Sequence, residues 1–137
     1  MSGIAFDHVG LSVADLDRQS RFYVQAFGFV ETHRAEIPEA DVRIALLTSP
    51  GGAAVEFTER ARSAPQHFAD PMEGAGIQGY FHWALTVDDL GAVISEAVAQ
   101  GARVVTQPAA ARRPGIRFAY VADPEGNLVE LIQHTSP

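Results

Sequence analysis

The feature that most constrains the fold of this chain is internal repetition. Phe6-Asp7-His8-Val9-Gly10-Leu11-Ser12-Val13-Ala14-Asp15-Leu16 lies over Tyr80-Phe81-His82-Trp83-Ala84-Leu85-Thr86-Val87-Asp88-Asp89-Leu90 at a spacing of 74 residues, superposing histidine, valine, aspartate and leucine. The same spacing carries Ala54-Val55-Glu56-Phe57 onto Leu128-Val129-Glu130-Leu131. Two widely separated matches at one spacing, each superposing an ionisable residue, mark a duplicated unit.

Each unit reads as strand, helix and then further strands. Residues 4–13 and 79–88 are rich in β-branched and aromatic side chains with period-two alternation, which predicts strands with two different faces. Asp15 and Asp89 follow as helix N-caps. Leu16, Tyr23, Ala26 and Phe27 keep helical spacing up to Gly28, and Leu90, Val93, Ala97 and Val98 do so up to Gly101, so both helices are expected to lay an apolar side on a sheet. The remaining strands are predicted over 29–36, 42–48 and 53–59 in the first unit, and 102–106, 116–122 and 127–134 in the second. The expected organisation is one domain over 1–137, with a first module at 4–60, a linker at 61–78 and a second module at 79–134. Pro65, Pro71, Gly74 and Gly76 interrupt the linker, where a short helix is expected around Gln66 to Phe68.

Strand parity then sorts the repeated residues by face. Val9, Leu11, Val13, Val55 and Phe57 form an apolar face suited to a helix. His8 and Glu56 share the other with Gly10, Ser12, Ala54 and Thr58, and the second unit repeats this with His82 and Glu130 beside Ala84 and Thr86. A single strand histidine is more often structural than a ligand, and an alternating glutamate is ordinarily the wet face of a sheet. Duplication of both selects a different reading. Mid-strand carboxylates between apolar neighbours, as in Val55-Glu56-Phe57 and Val129-Glu130-Leu131, are costly to bury unless paired, protonated or bound to a cation. The expected site is therefore one divalent metal ion held by His8, Glu56, His82 and Glu130. His33, His67 and His134 do not repeat and are expected at the surface or in loops, with His67 able to reach a pocket from the linker.

The chain has 137 residues and no cysteine, which rules out disulfides and thiolate ligands and leaves nitrogen and oxygen donors. A formal net charge of −7 disfavours nucleic acid and anionic membranes as partners. No run of residues is long and apolar enough for a membrane span, and the N-terminus lacks a basic, apolar leader, so a cytoplasmic protein is expected. Arg112, Arg113 and Arg117 form the one basic cluster, a candidate clamp for an anionic small molecule and equally a solvated loop.

Several of these segments carry a family resemblance. Asp7-His8-Val9-Gly10-Leu11-Ser12-Val13 with Asp15-Leu16, then Arg21-Phe22-Tyr23 and Phe27-Gly28-Phe29, resemble the opening of a module in the vicinal oxygen chelate superfamily. Asp123-Pro124-Glu125-Gly126-Asn127-Leu128-Val129-Glu130-Leu131 is similar to the turn and last strand of its second module. That superfamily includes glyoxalase I, methylmalonyl-CoA epimerase, extradiol dioxygenases, fosfomycin-modifying enzymes and bleomycin-binding proteins. The resemblance implies an α+β fold of two tandem βαβββ modules, forming a cupped, barrel-like mixed sheet with helices on the outside, and it implies a homodimer.

It also ranks the chemistry. A four-ligand set with Glu56 is similar to glyoxalase I, which implies a lyase or isomerase stabilising an enediolate of a substrate with two neighbouring oxygens. Nickel, cobalt, manganese, zinc and iron all suit the donors. Glu130 and Glu56 are the candidate proton carriers, with Glu130 expected to matter more because three-ligand members keep its position. The alternatives are an epimerase, an Fe(II) extradiol dioxygenase using His8, His82 and Glu130, and a metal-free drug-binding protein. The epimerase resemblance runs through Pro38-Glu39 and Val42-Arg43-Ile44-Ala45-Leu46-Leu47, but such epimerases commonly have glutamine in place of Glu56 and a His-Pro-Lys loop in place of Ala122-Asp123-Pro124.

Overall fold

The computed structural model describes residues 3–135. The chain divides into two compact units, Met1–Val24 with Gly28–Ala64, and Pro65–Pro137 with Gln25–Phe27. Unit 1 carries β1 (Val9–Val13), α1 (Leu16–Phe27) up to Val24, β2 (Val30–Ile37), β3 (Val42–Thr48) and β4 (Ala54–Arg60). Unit 2 carries a short α2 (Pro71–Ala75), then β5 (His82–Thr86), α3 (Leu90–Ala99), β6 (Arg103–Ala110), β7 (Ile116–Ala122) and β8 (Leu128–His134). Each unit holds one four-stranded mixed sheet, β1-β4-β3-β2 and β5-β8-β7-β6, so the class is α+β with the βαβββ order repeated.

In both sheets the first strand pairs in parallel with the last, and the other neighbours are antiparallel. Val9 sits beside Val55 and Leu11 beside Phe57; Trp83 sits beside Val129 and Leu85 beside Leu131. Val13, Ala45, Leu47, Val55 and Phe57 are buried on one face of the first sheet, and the Tyr23 ring of α1 packs edge-on against Phe57 at 5.1 Å and Phe29 at 5.9 Å. Leu85, Ala119, Val121, Val129 and Leu131 form the matching face of the second sheet.

The repeat extends to how each helix is fastened. The Asp15 side chain accepts from the Arg18 N–H at 3.0 Å and Asp89 from the Ala92 N–H at 3.1 Å, each satisfying a donor that the first helical turn leaves free. The next free donor is met from the last strand. Leu16 N–H donates to Glu59 Oε2 and Leu90 N–H to Gln133 Oε1, both at 2.8 Å, and all four residues obey the 74-residue spacing. Gly28 ends α1 with φ of 74°, a left-handed conformation that glycine adopts without Cβ strain, and its N–H reaches the Tyr23 and Val24 carbonyls.

Several features differ from the sequence expectation. The first strands begin later than residues 4 and 79, because each has one neighbour in its sheet and that neighbour starts late: β4 begins at Ala54 after the Gly51-Gly52 turn, and β8 at Leu128 after the 123–127 turn. The linker helix lies at Pro71–Ala75 rather than around Gln66 to Phe68. Asp70 caps it by accepting from Glu73 N–H, Pro71 stands in its first turn, and Glu73 reaches back to the Ala69 N–H. β6 runs on to Ala110 through irregular pairing that accommodates Pro108 on an edge strand. Val98, expected on the buried side of α3, is exposed.

Part of the linker is built into unit 2. A Cβ on Gly74 would fall 2.6 Å from the Phe81 ring, and Phe68 and Phe81 pack with Phe118 and Val105 on Tyr120, Ala122 and Leu128.

The strap from Glu59 has a pH signature. Arg43 first, and the Leu16 N–H second, hold the Glu59 carboxyl below its ordinary value. Its stabilisation is present above the unfolded value of 4.5 and is lost as pH falls through the lowered folded value. Glu59→Ala should cost about 1–2 kcal/mol at pH 7, on the scale of a lost helix cap. Glu59→Gln should cost less, since an amide oxygen does the same work at Gln133, and its deficit against wild type should close in acid. Urea unfolding across a pH series checks both.

Candidate metal centre

In unit 1, the parallel register sets Gly10 beside Glu56 and so turns the Glu56 side chain to the face that His8 occupies, one residue before β1. His8 Nε2 lies 4.0 Å from Glu56 Oε2, and both side chains are one-third exposed. A Cβ on Gly10 would meet nothing within 4 Å, so the space beside Glu56 is open. On the other flank, β3 places Leu46 opposite Glu56.

The Asp7 carboxylate lies 2.6 Å from His8 Nδ1. A carboxylate at that distance holds the proton on Nδ1 and leaves the Nε2 lone pair free toward Glu56. The same hydrogen bond is the first cause that raises the His8 pKa above 6.5, with the Glu56 charge adding to it.

In unit 2, the matching register sets Ala84 beside Glu130, and β7 places Tyr120 opposite it. His82 Nε2 lies 3.2 Å from Glu130 Oε1 and 3.3 Å from the Tyr120 hydroxyl. Burial first, and the Glu130 charge second, push the Tyr120 phenol up to about 12, so it remains a protonated donor at neutral pH. Phe81 stands where the repeat has Asp7, and His82 Nδ1 is buried with no hydrogen-bond partner among the described residues.

Within each unit the structure pairs two of the expected residues, His8 with Glu56 and His82 with Glu130. Among the described residues no group of three or more His, Cys, Asp or Glu side chains is gathered closely enough to hold an ion. Each pair offers one imidazole nitrogen and one carboxylate oxygen on a common face, a donor set that suits a borderline divalent cation. The other histidines are placed as the sequence suggests. His33 is exposed on β2, opposite Leu46, and His134 is exposed at the end of β8. His67 is exposed in the linker and rests over Gly126, where a Cβ would fall 3.1 Å from its ring.

Arg112 and Arg113 are exposed in the β6–β7 loop. Arg117 pairs with Gln133, whose side chain caps α3, so it lies on the helix side of its strand and not on the face of Glu130. The residue that sequence reasoning missed is Tyr120. The signal was available: a hairpin closed by Asp123 to Asn127 pairs Ala122 with Leu128, and counting outward from that pair brings residue 120 opposite Glu130.

Residues 5–131 match the Glyoxalase/Bleomycin resistance protein/Dioxygenase superfamily, and the chain belongs to that family. It is 31% identical over 137 residues to a probable lactoylglutathione lyase of Vibrio cholerae, covering 98% of this chain and 94% of that protein. It is 30% identical over 128 residues to a lactoylglutathione lyase of Arabidopsis thaliana, covering 93% of this chain and 44% of that protein. The chain therefore spans less than half the length of its plant relatives. A glyoxalase family protein from Bacillus cereus has the same fold, with a TM-score of 0.81 at 22% identity over 99% of each chain. Glyoxalase I from Zea mays matches with a TM-score of 0.71 at 22% identity, over 95% of this chain and 44% of that one.

The Asp7 contact can be read directly. In metal-free protein, Asp7→Asn should lower the His8 pKa toward 6.5, because the stabilisation from Asp7 is present below that value and is lost as pH rises through the raised one. An NMR titration of the five histidines checks this, with the His33 and His134 curves unmoved.

Proposed function

We propose that this chain is a divalent-metal-dependent lyase or isomerase of the glyoxalase I type, with His8, Glu56, His82 and Glu130 holding one ion of nickel, cobalt, manganese, zinc or iron. The observation that carries the reading is the duplicated pair: an imidazole and a carboxylate on the open face of each sheet, at one spacing in the sequence and one register in the structure. The names of the relatives support the reaction class and make lactoylglutathione the first compound to test. Glu56 favours this reading over its rivals, since a three-ligand dioxygenase, an epimerase with glutamine at this place and a metal-free binder have no use for that carboxylate.

A divalent cation held by His8, Glu56, His82 and Glu130 would supply Lewis acidity, making the substrate C–H beside its oxygens more acidic. The chain's own residues do the rest. His8 is held in the ligating tautomer by Asp7. Glu130 takes the proton from the acidified carbon and returns it to the neighbouring carbon, and Glu56 is the lesser candidate for that role. The apolar wall of Phe81, Phe118 and Leu128 around Tyr120 limits water at the reacting carbon. The substrate is a small molecule, the protein acts as a homodimer in the cytoplasm, and neither nucleic acid nor a membrane is a partner. No helix among the described residues is long and apolar enough to cross a membrane.

Metal analysis of purified variants tests the ligand set. His8→Ala and His82→Ala should each lose most of the metal, whereas His33→Ala and His134→Ala should keep it. Equal metal content in all four variants would remove the site. For the proton, Glu130→Gln should lower deuterium incorporation into substrate by at least about 100-fold while keeping part of the metal, since an amide cannot carry a proton between carbons. Glu56→Gln should lose less. Analytical ultracentrifugation should give a dimer, and a monomer with full metal content would contradict that assembly.

A further inference from the structure

The two halves of the centre match in their ligands and differ in what stands opposite each glutamate. β3 offers Leu46 to Glu56, and β7 offers Tyr120 to Glu130, at positions the repeat makes equivalent. Leu46 has no donor. Tyr120 has one, with the hydroxyl 3.3 Å from His82 Nε2, the nitrogen that itself lies 3.2 Å from Glu130 Oε1. Tyr120 is 8% exposed and its ring stands edge-on to His82 at 5.2 Å and to Phe118 at 6.1 Å, so the hydroxyl is held beside the His82–Glu130 pair.

A carboxylate that is both ligand and base must spend part of each turnover off the ion. In a half-buried site an uncoordinated carboxylate is unfavourable unless a donor meets it. Glu130 faces such a donor on the neighbouring strand, and Glu56, facing Leu46 and more open to solvent, faces none. We propose that Tyr120 is a positioning residue that holds the uncoordinated Glu130 carboxylate in place, and so makes Glu130 rather than Glu56 the proton carrier. This rests on the metal-dependent reading above. It does not require the phenol to titrate, only to donate.

The decisive variant is Tyr120→Phe, which removes one oxygen and keeps the ring in its packing. In metal-free protein, nitrogen-15 NMR should show the His82 Nε2 signal displaced by Tyr120→Phe and that of His8 unmoved. In metal-loaded protein, deuterium incorporation into substrate should fall about 10- to 100-fold, the range seen when a supporting hydrogen bond around a metal site is lost, with KM and metal affinity within a few-fold of wild type. If Tyr120→Phe does not fold, Glu130→Gln in metal-free protein should still shift the Tyr120 ring signals, and Glu56→Gln should not. Wild-type protein that takes up metal and exchanges deuterium, beside a Tyr120→Phe protein that does so equally well, overturns the positioning role alone. Wild-type protein that takes up no metal and exchanges no deuterium overturns it together with the proposed function.

Discussion

The parallel pairing of the first and last strand of each unit is the constraint on which the rest depends. A one-residue slip in either pair would turn the glutamate to the helix side and the adjacent valine to the open side. Packing forbids the slip, because Val55, Phe57, Val129 and Leu131 are fully buried on the helix face. The same register brings Glu59 and Gln133 under the first N–H of their helices. Core, helix attachment and candidate ligands are thus three consequences of one alignment, and a change that loosens any of them should disturb the others.

The repeat made this legible before any coordinates. His8, Glu56, His82 and Glu130 were readable because each alternates with apolar residues whose burial fixes parity, and because the 74-residue spacing says the same thing twice. Strand ends were less legible. Alternation continues through Ile4 and Phe6, yet those side chains are exposed, since a strand persists only while a partner lies beside it and β4 begins at Ala54. The linker helix was misplaced because Asp70-Pro71 with Glu73 is a capping signal, which periodicity over so short a stretch does not register.

What the sequence hid is the layer of residues that do not repeat. Asp7 is replaced by Phe81, Leu46 by Tyr120 and Glu59 by Gln133 at equivalent places. A comparison tuned to identity passes over such positions, although they make the halves chemically unequal. One imidazole is steered by a carboxylate, while the other has its second nitrogen buried without a partner among the described residues. One glutamate faces a leucine, and the other faces a phenol. Duplication supplies the candidate ligands, and divergence around them would give each a different task.

The central claim is that the four repeated residues bind one ion together. X-ray absorption spectroscopy of protein loaded with cobalt or nickel tests it most directly, since scattering from imidazole rings and carboxylate oxygens is counted in the same spectrum. The account predicts two imidazoles and two carboxylates on each ion, falling to one imidazole in either His8→Ala or His82→Ala at the residual metal. A spectrum with one imidazole in wild-type protein, or one unchanged by both substitutions, would contradict it.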